Sequence, residues 1–209
     1  MTDRIQCCSL FANRAEQRRR LVTETARKLF MENGFHATGM AQLAKESGVA
    51  VGQIYRDFSS KEDIVAAICN SDCGEFMQSG QLDAAIESGD SQGVREWLRH
   101  FLDAEDPEGD DRLFAEIVAE ATRNARIATI FHRLRAEFES RLSAALTMLA
   151  PGDVLAERRR LLADMIMTLS LGLSYFQLLH QPKDMPALTA KLIEMVDREL
   201  DALCTAAGA

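Results

Sequence analysis

The chain has 209 residues, 47% hydrophobic and 27% charged, with 12 Gly and 4 Pro; it is long enough to bury a core unaided and too apolar for collagen-like, low-complexity or disordered classes. Its net charge of −8 is unevenly spread, with 10 Lys/Arg against 8 Asp/Glu in residues 1–63 and 14 against 24 in residues 64–209. A mildly basic head on an acidic body excludes a protein coated in nucleic acid, yet one face can still meet phosphate.

In chain order, Val22, Ala26, Leu29 and Phe30 share one face of a first helix over 13–33, with Asn13 as a cap and Gly34 as its stop. Residues 1–12 are expected to be a flexible terminus. Thr38 then caps a short helix through Met40, Leu43, Ala44 and Ser47, which ends at Gly48, and Val51 to Phe58 forms a second. Ser59-Ser60-Lys61-Glu62 reads as a capping box opening a longer helix through Ile64 and Ile68. Further stripes follow at Val94–Leu102, at Leu113–Ala121 and from Ile127 to Leu149, with breaks at AEDPEGDD and Ala150-Pro151-Gly152-Asp153. An apolar helix runs to His180, Gln181-Pro182 ends it, and Leu188, Leu192, Met195, Val196 and Leu203 mark the last one. No alternating strand pattern and no internal repeat is legible, so the fold class is all-α.

The apolar stretch Met165–Leu179 is shorter than the roughly 20 residues of a membrane span and holds Thr168, Ser170, Ser174 and Gln177. It reads as a buried helix. Five cysteines (Cys7, Cys8, Cys69, Cys73, Cys204) form no zinc or disulfide framework, their odd number fits a reducing compartment, and the N-terminus lacks a signal peptide's apolar core. The expectation is a cytoplasmic protein that engages no membrane. Nucleophile elbow, phosphate loop and paired metal motif are all missing, so neither enzyme, metal site nor cofactor is expected. Cys69-x-x-x-Cys73 keeps a thiol or soft-metal sensor open as a rival reading.

The informative segment is GFHATGMAQLAKESGVAVGQIYRDFSSK, residues 34–61. It sets two short helices three to four residues apart with Gly48 in the turn, the spacing of a helix-turn-helix, where a φ-permissive residue lets the helices cross steeply. Leu43, Ala44, Val49, Ile54 and Phe58 fill the inside, leaving Val51, Gln53, Tyr55 and Arg56 able to face a groove. In order and spacing, Gly34-Phe35, Thr38, Leu43-Ala44, Gly48-Val49, Gly52, Ile54-Tyr55, Phe58 and Ser60-Lys61-Glu62 resemble the TetR/AcrR family of one-component bacterial transcriptional regulators. The likeness covers roughly residues 13–68.

That resemblance implies a three-helix DNA-binding domain at 13–63 and a larger helical ligand-binding and dimerisation domain at 64–209. It implies that Thr38 bonds a phosphate, and that Ala50, Val51, Gly52 and Gln53 enter the major groove, Gln53 with bidentate capacity for adenine. It also places Tyr55 at a phosphate or thymine methyl, Arg56 at a phosphate or guanine, and Lys61 at a phosphate. Arg14, Arg18, Arg19 and Arg20 are either a solvated helix face or further phosphate contacts. Two departures stand out: Ala41 where relatives often carry Arg, and Asp57, a negative charge near the DNA face. They leave open a helical interaction module that has lost DNA binding.

One such helix reads few base pairs, so a homodimer on a palindromic double-stranded DNA operator is implied, with heads about 34–36 Å apart. The expected dimer stripe is Leu162, Ile166, Leu169, Leu173 and Phe176, with Ser170, Gly172 and Ser174 allowing close approach. The function implied is a repressor released by a small-molecule effector. Trp97, Phe101, Phe114, Phe131, Met165 and Tyr175, with His100 and His132 as polar handles, are the candidate effector-binding residues.

Overall fold

A computed structural model describes residues 2–77, 80–103, 110–179 and 185–208; side chains at 2–13, 73, 75–77, 110 and 111 lie outside that description. The described residues form ten α-helices and one 3₁₀ turn, with no strand. They are α1 (Thr2–Asn33), α2 (Met40–Ser47), α3 (Val51–Asp57), α4 (Lys61–Met77), α5 (Gln81–Ser88), α6 (Ser91–Leu102), α7 (Asp110–Ala121), α8 (Ala125–Leu149), α9 (Ala156–Leu179) and α10 (Met185–Ala207). The all-α expectation holds. Helix α1 is continuous from Thr2, so residues 2–12, expected as a flexible terminus, extend it and Asn13, expected as its cap, lies inside it; the breaks at 104–109 and 180–184 lie outside the described residues. Helix α5 has no counterpart in the sequence reading; it runs between left-handed Gly80 and Gly89.

The chain divides into two compact units. The first comprises residues 1–74 and 112–131, the second residues 75–111 and 132–209. The head therefore runs past the boundary expected at residue 63. Its core joins Val22, Ala26, Leu29 and Phe30 of α1 to Leu43, Ile54, Phe58, Ile64 and Ile68, and takes in Leu113 and Ile117 of α7 and Ile127 of α8. Those three come from more than 40 residues down the chain, which local periodicity cannot reveal. Gly48 ends α2 at φ +69°, a left-handed conformation that a side chain resists.

The second unit packs Leu82, Val94, Trp97, Leu98 and Phe101 against Leu142, Leu146, Leu162, Ile166, Val196 and Leu200. Two expectations about α9 fail here. Leu162, Ile166 and Leu173, three of the five residues in the stripe assigned to a partner, are buried within the protomer, while Leu169 and Phe176 are half-buried. Nor is α9 a buried helix: by length and composition Asp153–Leu179 could cross a membrane, yet only 22% of its apolar window is buried. Leu161, Leu171, Tyr175, Leu178 and Leu179 are exposed on it, and Met195 is exposed on α10. At 100° per residue Leu161, Met165, Thr168, Gly172, Tyr175 and Leu179 fall on one face. Pattern alone cannot choose between two apolar faces of one helix.

Candidate nucleic-acid interface

Helix α3 lays Ile54 and Phe58 into the head core and turns its other side out. Val51 is 44% and Tyr55 54% exposed; Ala50, Gly52 and Arg56 are exposed with them, and Gln53 is half-buried. The spacing 51, 52, 55, 56 makes a single outward face one helix wide, the shape a major groove admits. Among the described residues no neighbour lies within 4 Å of where a Cβ on Gly52 would sit, so packing against them does not require glycine there. Arg56 donates from Nε to the Gly52 carbonyl at 3.3 Å. Ala41 and Lys45 of α2 are exposed too.

Two residues expected at phosphates do other work. Thr38 is fully buried; its hydroxyl lies 3.0 Å from the Gly34 carbonyl and 3.2 Å from that of Leu29. The residue preceding α2 is Gly39, which makes no side-chain cap. Thr38 thus closes the corner between α1 and α2 from inside. Lys61 donates from Nζ to the carbonyls of Phe35 at 2.6 Å and Thr38 at 2.7 Å, and its ammonium sits 4.3 Å over the Phe35 ring. Partial burial lowers its pKa. The ammonium satisfies backbone carbonyls left over by the same corner, which explains a lysine here without a phosphate.

The start of α4 is capped one residue later than expected. Asp63 N donates to Ser60 Oγ at 3.3 Å and Ser59 N to Asp63 Oδ2 at 3.0 Å. Glu62 is thereby released to accept from Asn124 Nδ2 at 3.1 Å. Burial pushes its carboxyl up, but the bonds from Asn124 and Ser60, with Arg126 nearby, outweigh that and hold it below the usual range. On α7, Glu116 Oε1 accepts from Phe35 N at 2.9 Å, and the buried Glu120 carboxylate lies 3.0 Å from His36. These contacts pin the 34–39 corner, and the sequence reading missed them because they span 60 to 90 positions.

Asp57 is not a bare negative charge. Arg18 Nε and Nη2 donate to its two carboxylate oxygens at 2.5 and 2.8 Å, and Arg19 Nη1 donates to its carbonyl at 2.6 Å. Arg20 pairs with Glu24 at 3.2 Å, and Arg14 is exposed.

The candidate effector residues separate. Trp97 and Phe101 belong to the second unit's core, with half-buried Met165 packed against it, and Trp97 is stacked on Phe101 at 5.8 Å. Trp97 and His100 border a 480 Å³ groove between α5 and α6. Phe114 and Phe131 pack together at 5.8 Å in the head unit, while Tyr175 and His132 are exposed. Of the cysteines, Cys69 packs on the head core and Cys204 donates to the Leu149 carbonyl; the Cys7, Cys8 and Cys73 side chains lie outside the described residues.

Residues 22–68 match the family described as bacterial regulatory proteins, tetR family. Residues 91–205, more than half of the chain, match the C-terminal domain of BetI-type transcriptional repressors. The HTH-type transcriptional regulator UidR of Escherichia coli is 28% identical over 125 residues, which is 56% of this chain and 58% of that protein. The chain thus spans less than two thirds of that relative. FadR of Bacillus subtilis in complex with stearoyl-CoA superposes with a TM-score of 0.61 at 19% identity, over 85% of this chain and 96% of that one. A regulator from Saccharomonospora viridis in complex with choline gives 0.63 at 18%, over 86% and 96%. At such identities these two structures speak for the fold alone, while the family matches account for both the head and the body. The chain belongs to the TetR family of bacterial transcriptional regulators.

Proposed function

We propose that the protein is a repressor that binds a palindromic operator as a homodimer in the cytoplasm and is released by a small molecule. The observation that carries the reading is the outward face of α3, where Ala50, Val51, Gly52, Tyr55 and Arg56 stand clear of the head core. In this reading they contact DNA, with Gln53 at the edge, while Thr38 and Lys61 hold the corner that orients them. Arg56 supplies charge and a fork suited to guanine. The exposed face of α9 around Gly172 covers its two-fold mate, since a contiguous apolar surface of this kind calls for a partner.

The effector reading rests on the structural neighbours crystallised with stearoyl-CoA and with choline. Trp97, His100, Phe101 and Met165 are the side chains of the second unit offered for contact. A coupling of about 1–3 kcal/mol between effector and operator is enough for derepression.

The test is recovery of genomic DNA fragments by the purified protein beside a Tyr55→Ala/Arg56→Ala variant, at about 150 mM salt, where non-specific binding is weak. Enrichment of a few palindromic sites by the unaltered protein alone supports the reading. Equal enrichment by the variant refutes the residue assignment, and recovery of non-palindromic DNA refutes the dimeric one.

A further inference from the structure

At the C-terminal end of α3 two arginines of α1 close on one residue. The Arg18 guanidinium meets the Asp57 carboxylate through two parallel bonds, with the side chains 27% and 11% exposed. Arg19 caps the α3 carbonyl end at Asp57 and lies 4.3 Å over the ring of the buried Phe58. The Arg18 bond, opposed by burial and helped by the charges of Arg18, Arg19 and Arg56, holds the Asp57 carboxyl below the usual aspartate range. The aspartate is therefore ionised wherever the head is folded near neutral pH.

Arg56, one residue before, is exposed on the same short helix. A phosphate approaching α3 therefore meets Arg56 as an open cation, while the charge of Arg18 is already matched. Affinity for any duplex scales with the phosphates a protein neutralises, and a cation held in a fork by a carboxylate releases no counterion. The geometry points to Asp57 as the residue that sets the head's electrostatic affinity. It keeps Arg18 off the phosphate backbone and ties the end of the recognition helix to α1. This inference rests on the DNA-binding reading. It also gives Asp57 a positive role where its charge alone counts against DNA binding.

The experiment is a salt titration of the full chain on a labelled random-sequence duplex between 50 and 200 mM salt, so that no operator need be known. Asp57→Asn keeps the shape and removes the charge that holds Arg18. It is expected to bind more tightly than the unaltered chain, and its affinity is expected to fall an additional 3.5-fold or so per head across that range, the signature of about one more phosphate contact. Asp57→Asn/Arg18→Gln, which removes both charges, is expected to return the slope to its starting value. A slope unchanged in the single variant overturns the inference, as does a double variant as steep as the single one. Should Asp57→Asn not fold by circular dichroism, the exchange Arg18→Asp/Asp57→Arg keeps the pair and is expected to retain the original slope; a steeper one overturns the inference. If no protein, altered or not, binds duplex at 50 mM salt, the DNA-binding reading fails and this inference with it.

Discussion

Lys61 separates two accounts of the head. As a phosphate contact it would matter only to DNA; as the structure has it, the ammonium holds the carbonyls of Phe35 and Thr38 at 2.6 and 2.7 Å. Lys61→Met keeps the stem and its packing on Phe35 while deleting all three donors. Hydrogen bonds to a charged group are worth about 1.5–3 kcal/mol each when buried. Lys61 is only half-buried, and that burial strips part of the ammonium's hydration and lowers its pKa. Solvent at the half-buried ammonium brings the net loss for the pair below the roughly 3 kcal/mol of two such bonds at their low end, to about 2 kcal/mol. That corresponds to a roughly 30-fold loss of protection for amides that exchange through opening of the corner. Hydrogen exchange is the right assay because the single tryptophan, Trp97, lies in the other unit. Protection in peptides covering 29–43 should fall, and peptides from α10 should be unaffected. Unchanged protection in 29–43, with DNA affinity reduced, would refute the reasoning and restore Lys61 to the phosphates.

Four further outcomes follow from the same geometry. Gly52→Ala meets no neighbour within 4 Å and removes a helix-destabilising glycine, so thermal melting should show a head as stable or up to about 1 kcal/mol more stable, while duplex affinity drops because the backbone can no longer approach closely. Gly48→Ala, at φ +69°, should cost the head about 1–2 kcal/mol through backbone strain alone, measured by urea denaturation. Gly172→Arg should split the proposed dimer in sedimentation equilibrium while the protomer stays folded, because among the described residues no neighbour lies within 4 Å of where its Cβ would sit; Ile166→Ala, in the core, should instead lower stability by about 2–5 kcal/mol. Finally, Asp57 has a depressed folded pKa, so its contribution is complete above the unfolded aspartate value of about 3.9 and is lost as pH falls through the lower folded value; acid unfolding of Asp57→Asn should be less steep there than that of the unaltered chain.

The sequence by itself determined the helices and the order of the head. Leu43, Val49, Ile54 and Phe58 repeat at helical spacing around Gly48, and those relations lie within one or two turns, where periodicity and turn chemistry act. Val51, Tyr55 and Arg56 were legible as outward residues for the same reason, being what the buried set leaves over, whereas Gln53, expected with them, is half-buried and Gly52 entered only through the family likeness. Only the tertiary structure decided the tasks of Thr38 and Lys61. The carbonyls they satisfy become neighbours through the folding of a corner, and a polar residue's exposure depends on what packs over it. Likewise Arg18 and Asp57 stand 39 positions apart, and no local pattern couples them. Helix α9 shows the limit most plainly: apolar residues surround it, so its sequence offers two stripes of equal merit. The packing of Leu162, Ile166 and Leu173 into the protomer is what leaves Leu161, Gly172 and Tyr175 for another surface, because which sides of an apolar helix are covered depends on the elements that fold against it.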